Sequence, residues 1–137
     1  THIQFVMRPE EDALCIDAFI MNMTPTPSPY ANDPLVSKGK AVFEKAGCGE
    51  CHPASNGLYT NLKKYNLELG NGNEEGSEFD TPTLVEVWRT GPYLYNGRAK
   101  TIDELFTKAN NPKDLHGKTS DLAPDEIKAL SIYVRSL

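Results

Sequence analysis

The sequence predicts an all-α fold. Apolar residues recur at helical spacing in five segments, those segments are bounded by helix start and stop residues, and no stretch alternates convincingly with the period of a strand. In the first segment Pro9, Glu10, Glu11 and Asp12 suit a helix N-terminus, and Leu14, Ala18 and Met21 share a face that Ile16, Phe19, Ile20 and Met23 widen. Pro25, Pro27 and Pro29 then alternate with Thr24, Thr26 and Ser28, which ends the helix and favours an extended spacer. The chain is therefore expected to divide into residues 1–29, a helix and proline-rich linker that either packs over the rest of the chain or is the remnant of an upstream module, and residues 30–137, one domain.

Asp33 and Pro34 open the second segment, with Leu35, Gly39, Val42, Phe43 and Ala46 on one face and Gly47 as its stop. Gly70 to Glu78 is glycine-rich and acidic, matches no EF-hand calcium loop, and reads as a solvated loop. Thr81 and Pro82 open a short third helix carrying Leu84, Val85 and Trp88, ended by Gly91 and Pro92. Thr101 caps a fourth, with Ile102, Leu105 and Phe106 inward and Asp103 and Glu104 in its first turn, where they suit the helix dipole. Pro124, Asp125 and Glu126 start the fifth, whose Ile127, Leu130, Val134 and Leu137 line one side.

Immediately after Gly47 stands Cys48-Gly49-Glu50-Cys51-His52. C-x-x-C-H is the spacing at which two thiols and one imidazole serve a single haem, the sulfurs bonding the porphyrin edge and the histidine taking the iron as proximal ligand. A structural zinc site would need a further ligand pair, and the only other cysteine, Cys15, stands alone. A redox C-x-x-C belongs at a helix start after a strand, whereas here a helix precedes it. A disulfide between residues three apart is strained. The expected cofactor is one covalent haem c. Trp88 is expected to pack on its edge, and Arg89 and Arg98 to pair with its propionates. Cys15 reads as a small buried hydrophobe.

Covalent haem places the chain in the periplasm or outside the cell, where oxidising conditions hold. Residues 1–10 carry neither a basic region nor an apolar run of a signal peptide, so a mature or trimmed chain is expected, and no apolar run reaches the roughly 18 residues of a membrane span. With 137 residues, 39% of them apolar, the chain can bury one core. Its formal charge of −5, made more negative by haem propionates, disfavours nucleic acid and suits a redox partner with a basic docking patch.

The residues around the motif carry a family resemblance. Cys48 to His52, then Asp80-Thr81-Pro82-Thr83-Leu84, then Trp88 through Arg98, then Thr101-Ile102-Asp103-Glu104-Leu105 resemble the C-terminal haem domain of the bacterial di-haem cytochrome c peroxidase and MauG superfamily. The resemblance is closer still to single-haem modules fused to β-propellers, and it spans Ser28 to Leu137. It implies a class I-like cytochrome c fold, with helices around one covalently bound haem c and an N-terminal helix crossing the C-terminal one near the Cys48 loop. Segments 34–46 and 124–136 are the two best amphipathic helices and fit those places. Family members commonly have a histidine where this chain has Tyr95.

The sixth iron ligand decides between carrying electrons and binding peroxide or oxygen. Family domains that use methionine place it where this chain has Lys108, Ala109 and Asn110, and Met7, Met21 and Met23 all precede the haem motif. His116, in the loop Asp114-Leu115-His116-Gly117, stands close to where cytochrome c chains place their distal ligand, and it is the expected one; Tyr95 and an N-terminal methionine stay open as alternatives. His2 is expected to have no functional part. The leading expectation is electron transfer through a low-potential, six-coordinate haem serving a larger redox protein or an attached domain. The alternative is a peroxidase-like or oxidase-like enzyme domain, with Tyr95, Glu86 and Asp103 as acid–base candidates.

Overall fold

The computed structural model describes residues 10–70, 72–110 and 113–137. Among them are four α-helices, α1 (Glu10–Met21), α2 (Val36–Lys45), α3 (Ile102–Glu104) and α4 (Pro124–Arg135), joined by long turns. A two-stranded antiparallel sheet is also present, β1 (Lys64–Tyr65) against β2 (Phe79–Asp80), pairing Lys64 with Asp80 and Tyr65 with Phe79. The all-α expectation is corrected by this ribbon. Two residues per strand are too few for a period-2 pattern to show in a sequence.

The core is the crossing of α2 and α4. Asp33 Oδ1 accepts from the Leu35 amide at 2.8 Å, so the Asp33-Pro34 pair does set the entry to α2, and Val42 and Phe43 point inward at 4% and 2% exposure. In α4, Pro124 occupies the first turn and the Glu126 carboxylate accepts from the Ala123 amide at 3.0 Å, half of a capping box. The run Ala129 to Val134 is buried without interruption, because this half of α4 is covered on every side. Phe43 meets Tyr133 edge-on, ring centroids 5.2 Å apart, and Gly39 lets the backbones touch: a Cβ there would lie 2.1 Å from the Ala129 carbonyl oxygen and 2.5 Å from Tyr133 Cβ. Lys38–Asp125 and Lys45–Glu126 bridge the same helices at the surface, where such pairs contribute little.

The third helix expected after Thr81 is a single 3₁₀ turn, Val87–Arg89, because Glu86 is held at φ +58° and breaks the path. Thr101 caps α3 as expected, its hydroxyl accepting from the Glu104 amide at 3.1 Å. After one turn the chain widens into the π-helical turn Leu105–Ala109, with Leu105 buried.

α1 is a helix over the expected residues, yet none of its residues is buried, and Leu14, Ile16, Phe19, Ile20 and Met21 are 57 to 85% exposed. Cys15 is exposed as well, which corrects its reading as a buried hydrophobe: α1 has no neighbour among the described residues to bury it. The linker after it is tied down by the Thr26 amide to Glu86 Oε1 at 2.6 Å and by the Ser28 hydroxyl to the Arg135 carbonyl at 2.5 Å. His2 and Met7 lie outside the described residues. No helix among the described residues is long and apolar enough to cross a membrane.

Candidate functional site

α2 ends where the motif begins. Gly47 takes φ +76°, and the chain turns at once into a 3₁₀ turn, Cys48–Glu50, closed by the Cys51 and His52 amides donating to the Cys48 carbonyl at 3.3 and 2.9 Å. Helical winding puts residues three apart on one face, so Cys48 and Cys51 are presented together, with His52 beside them. All three line a cavity of about 420 Å³ that is also walled by Leu69, Leu84, Val87, Ile102, Phe106 and Val134, a largely apolar chamber.

His52 is 8% exposed, and its Nδ1–H donates to the Tyr59 carbonyl at 2.7 Å. That bond fixes the tautomer and leaves Nε2 with its lone pair as the ligating atom, while burial pushes the ring's pKa below the usual histidine value and keeps it neutral. Across the cavity stands His116, ring centroids 6.5 Å apart and the planes at 50°. Burial, with the Arg98 charge and the repulsion that a second proton on the facing His52 would meet adding to it, pushes His116 down to about 4. Neither ring nitrogen of His116 has a hydrogen-bond partner among the described residues.

The Cys48 thiol is pushed up to about 11, chiefly by burial, with the Cys51 and Glu44 charges adding to it. A redox C-x-x-C needs its nucleophilic thiol depressed, so this environment argues against disulfide exchange. Among the described residues no group of three or more His, Cys, Asp and Glu side chains is arranged to hold a metal ion by itself. A haem fits what is present. Two metal–imidazole bonds of about 2 Å, with half a ring on either side, sum to about 6 to 6.5 Å between ring centres, against 6.5 Å observed. The wall is apolar, and both cysteines open onto it.

The other residues marked in the sequence are placed differently. Trp88 and Arg89 are not among the residues lining the cavity. Arg89 turns to Glu86 Oε1 at 2.7 Å, and Trp88 carries a buried Nε1 without a partner. Arg98 is exposed and donates to the Ala109 carbonyl at 3.0 Å, on the His116 side. Tyr95 does line the cavity, 40% exposed and stacked on Phe79 with centroids 4.1 Å apart. Glu86 is taken by Arg89 and Thr26, and Asp103 by Arg135 at 3.6 Å, and neither is among the residues lining the cavity. Met21 and Met23 are exposed at 85% and 64%.

Sequence reasoning missed the Tyr59 carbonyl, since any residue supplies one. It also missed Asn110 and Asp114, which hold the His116 loop; the short polar Asx side chains flanking a loop were the available signal.

Known proteins place this architecture. The chain is 40% identical over 60 residues to the hydrazine synthase subunit gamma of Kuenenia stuttgartiensis, a stretch covering 44% of this chain and 17% of that protein. It is 37% identical over 81 residues to a cytochrome-c peroxidase of Denitromonas iodatirespirans, covering 55% and 21%. A solved structure of the Kuenenia stuttgartiensis hydrazine synthase superposes with a TM-score of 0.74 at 26% identity, over 87% of this chain and 52% of that one. The chain is cytochrome c-like. No family model matches it, and it spans about a fifth of the length of the curated relatives it matches. These likenesses support a haem-based redox function.

Proposed function

We propose that this chain is an electron-transfer module carrying one covalently attached haem c. Cys48 and Cys51 hold the porphyrin edge, His52 is the proximal ligand and His116 the distal one. The observation that carries the reading is the pair of imidazoles facing each other at 6.5 Å across an apolar cavity whose wall includes both cysteines. When bound, the haem supplies one-electron chemistry at its iron. His52 and His116 supply neutral nitrogen donors, which favour ferric iron more than a thioether does and so lower the potential. The apolar wall around them excludes water, which would otherwise compete for the iron.

Residues 30–137 are the haem domain in this reading, akin to the C-terminal haem domain of the di-haem peroxidase and MauG superfamily, and residues 1–29 are a helix and proline-rich linker through which it serves a larger redox protein or assembly, exported to the periplasm or cell exterior. The exposed apolar residues of α1 agree with such an attachment. The net charge of −5 suits a basic redox partner. A second reading, a peroxide-reactive domain, is favoured by the likeness to a cytochrome-c peroxidase and by Tyr95 at the cavity.

Attachment is tested by acid–organic extraction of the haem-loaded protein. One haem per chain should stay on the denatured polypeptide, held by two thioether bonds. Haem that passes into the organic phase, or a chain that takes zinc in its place, would sink the assignment.

A further inference from the structure

We propose that Asn110 is a positioning residue for the distal ligand, its side-chain amide latching the loop that carries His116 against the cavity. The inference rests on His116 being a ligand. His116 belongs to no helix or strand, so something other than a backbone ladder must set its place.

Asn110 supplies it. Its Nδ2 donates to the Gly117 carbonyl at 3.0 Å and to Thr119 Oγ1 at 2.7 Å, while its Oδ1 accepts from the His116 amide at 3.4 Å. One amide thus holds the ligand residue, its neighbour and the far end of the loop. Thr119, 5% exposed, passes the tether on by donating to the carbonyl of Phe106, a cavity residue. Asp114 closes the loop from within: Oδ1 accepts from the Thr119 and Ser120 amides, both at 3.2 Å, and Oδ2 from the Ser120 hydroxyl at 2.5 Å.

The loop is also registered on the haem motif. Lys118 donates its amide to the Ala46 carbonyl at 2.9 Å, and Gly117, at φ +80°, brings its backbone so near that a Cβ would lie 3.4 Å from Cys48 Sγ. Residues 114 to 120 are thereby tied to one another and to the turn that follows α2. Loosening the Asn110 latch frees His116 without touching the cysteines or the α2–α4 crossing.

The test is stopped-flow cyanide binding to the ferric, haem-loaded chain. Cyanide can enter only when His116 leaves, so the limiting rate at high cyanide reports the opening of the loop. Asn110→Ala should raise it roughly 10- to 100-fold, the scale of losing two full hydrogen bonds, to Gly117 and Thr119, and the long one from the His116 amide, with haem content and far-UV circular dichroism unchanged. Thr119→Val, which keeps the side-chain shape and removes the hydroxyl, should shift it in the same direction and serves if Asn110→Ala matures poorly. Thr101→Ala weakens the cap of α3 outside the loop and should leave the rate alone. Unchanged rates in both loop variants, or an equal acceleration in Thr101→Ala, overturn the latch. A His116→Ala variant that keeps the parent's spectrum overturns the ligand assignment itself, a separate and distinguishable failure.

Discussion

His116→Ala is expected to convert the resting ferric protein from low-spin to high-spin. In the parent, an external ligand sees only the small fraction of molecules whose distal position is open, and apparent affinity falls by that fraction. If the open fraction is below about 1%, removing the imidazole raises the apparent affinity for cyanide by at least about 100-fold. Carbon monoxide should bind the reduced variant and peroxide should react with the oxidised one, while covalent attachment through Cys48 and Cys51 persists. Titration of parent and variant with cyanide, followed optically, checks this. An unchanged spectrum would move the ligand assignment to Tyr95, which also lines the cavity, or to an N-terminal methionine.

Gly39→Ala is expected to destabilise the fold by forcing apart the α2–α4 crossing. The new Cβ would sit 2.1 Å from the Ala129 carbonyl oxygen, which is backbone and cannot rotate away, so α2 and α4 must move apart. Separation loosens Phe43 against Tyr133 and Val42 in the shared core. Better helix propensity returns about 1 kcal/mol. Overpacking of a tight core costs typically 1–3 kcal/mol and more where backbone must shift, for a net loss of about 2 kcal/mol. Tm should fall by roughly 5 to 10 °C in a chain of this size. A thermal melt showing an equal or higher Tm would mean the crossing is looser than its geometry.

How much of the fold and site was legible in the sequence depends on what makes each element. α2, α4 and the C-x-x-C-H turn are specified locally, by Asp33, Pro34, Gly47, Pro124 and Glu126 and by 3.6-residue periodicity, so they could be read directly. The segment after Thr81 looked helical because Leu84, Val85 and Trp88 have helical spacing, yet a left-handed Glu86 leaves only one turn. Arg89 was expected at the haem but stands three residues from Glu86, a spacing at which charges on one turn meet. The facing of His52 and His116 depends on how the loop after Leu105–Ala109 folds back, and Asn110 and Asp114 fix that through side-chain bonds that leave no periodic trace.

The functional assignment depends on the iron being held by two imidazoles. The resting ferric protein, loaded with its haem, should show a low-spin electron paramagnetic resonance signal and the near-infrared charge-transfer band of histidine–histidine ligation, with no methionine band in the red. A high-spin resting signal from the parent protein would contradict it, and would turn the carrier into a peroxide-reactive site.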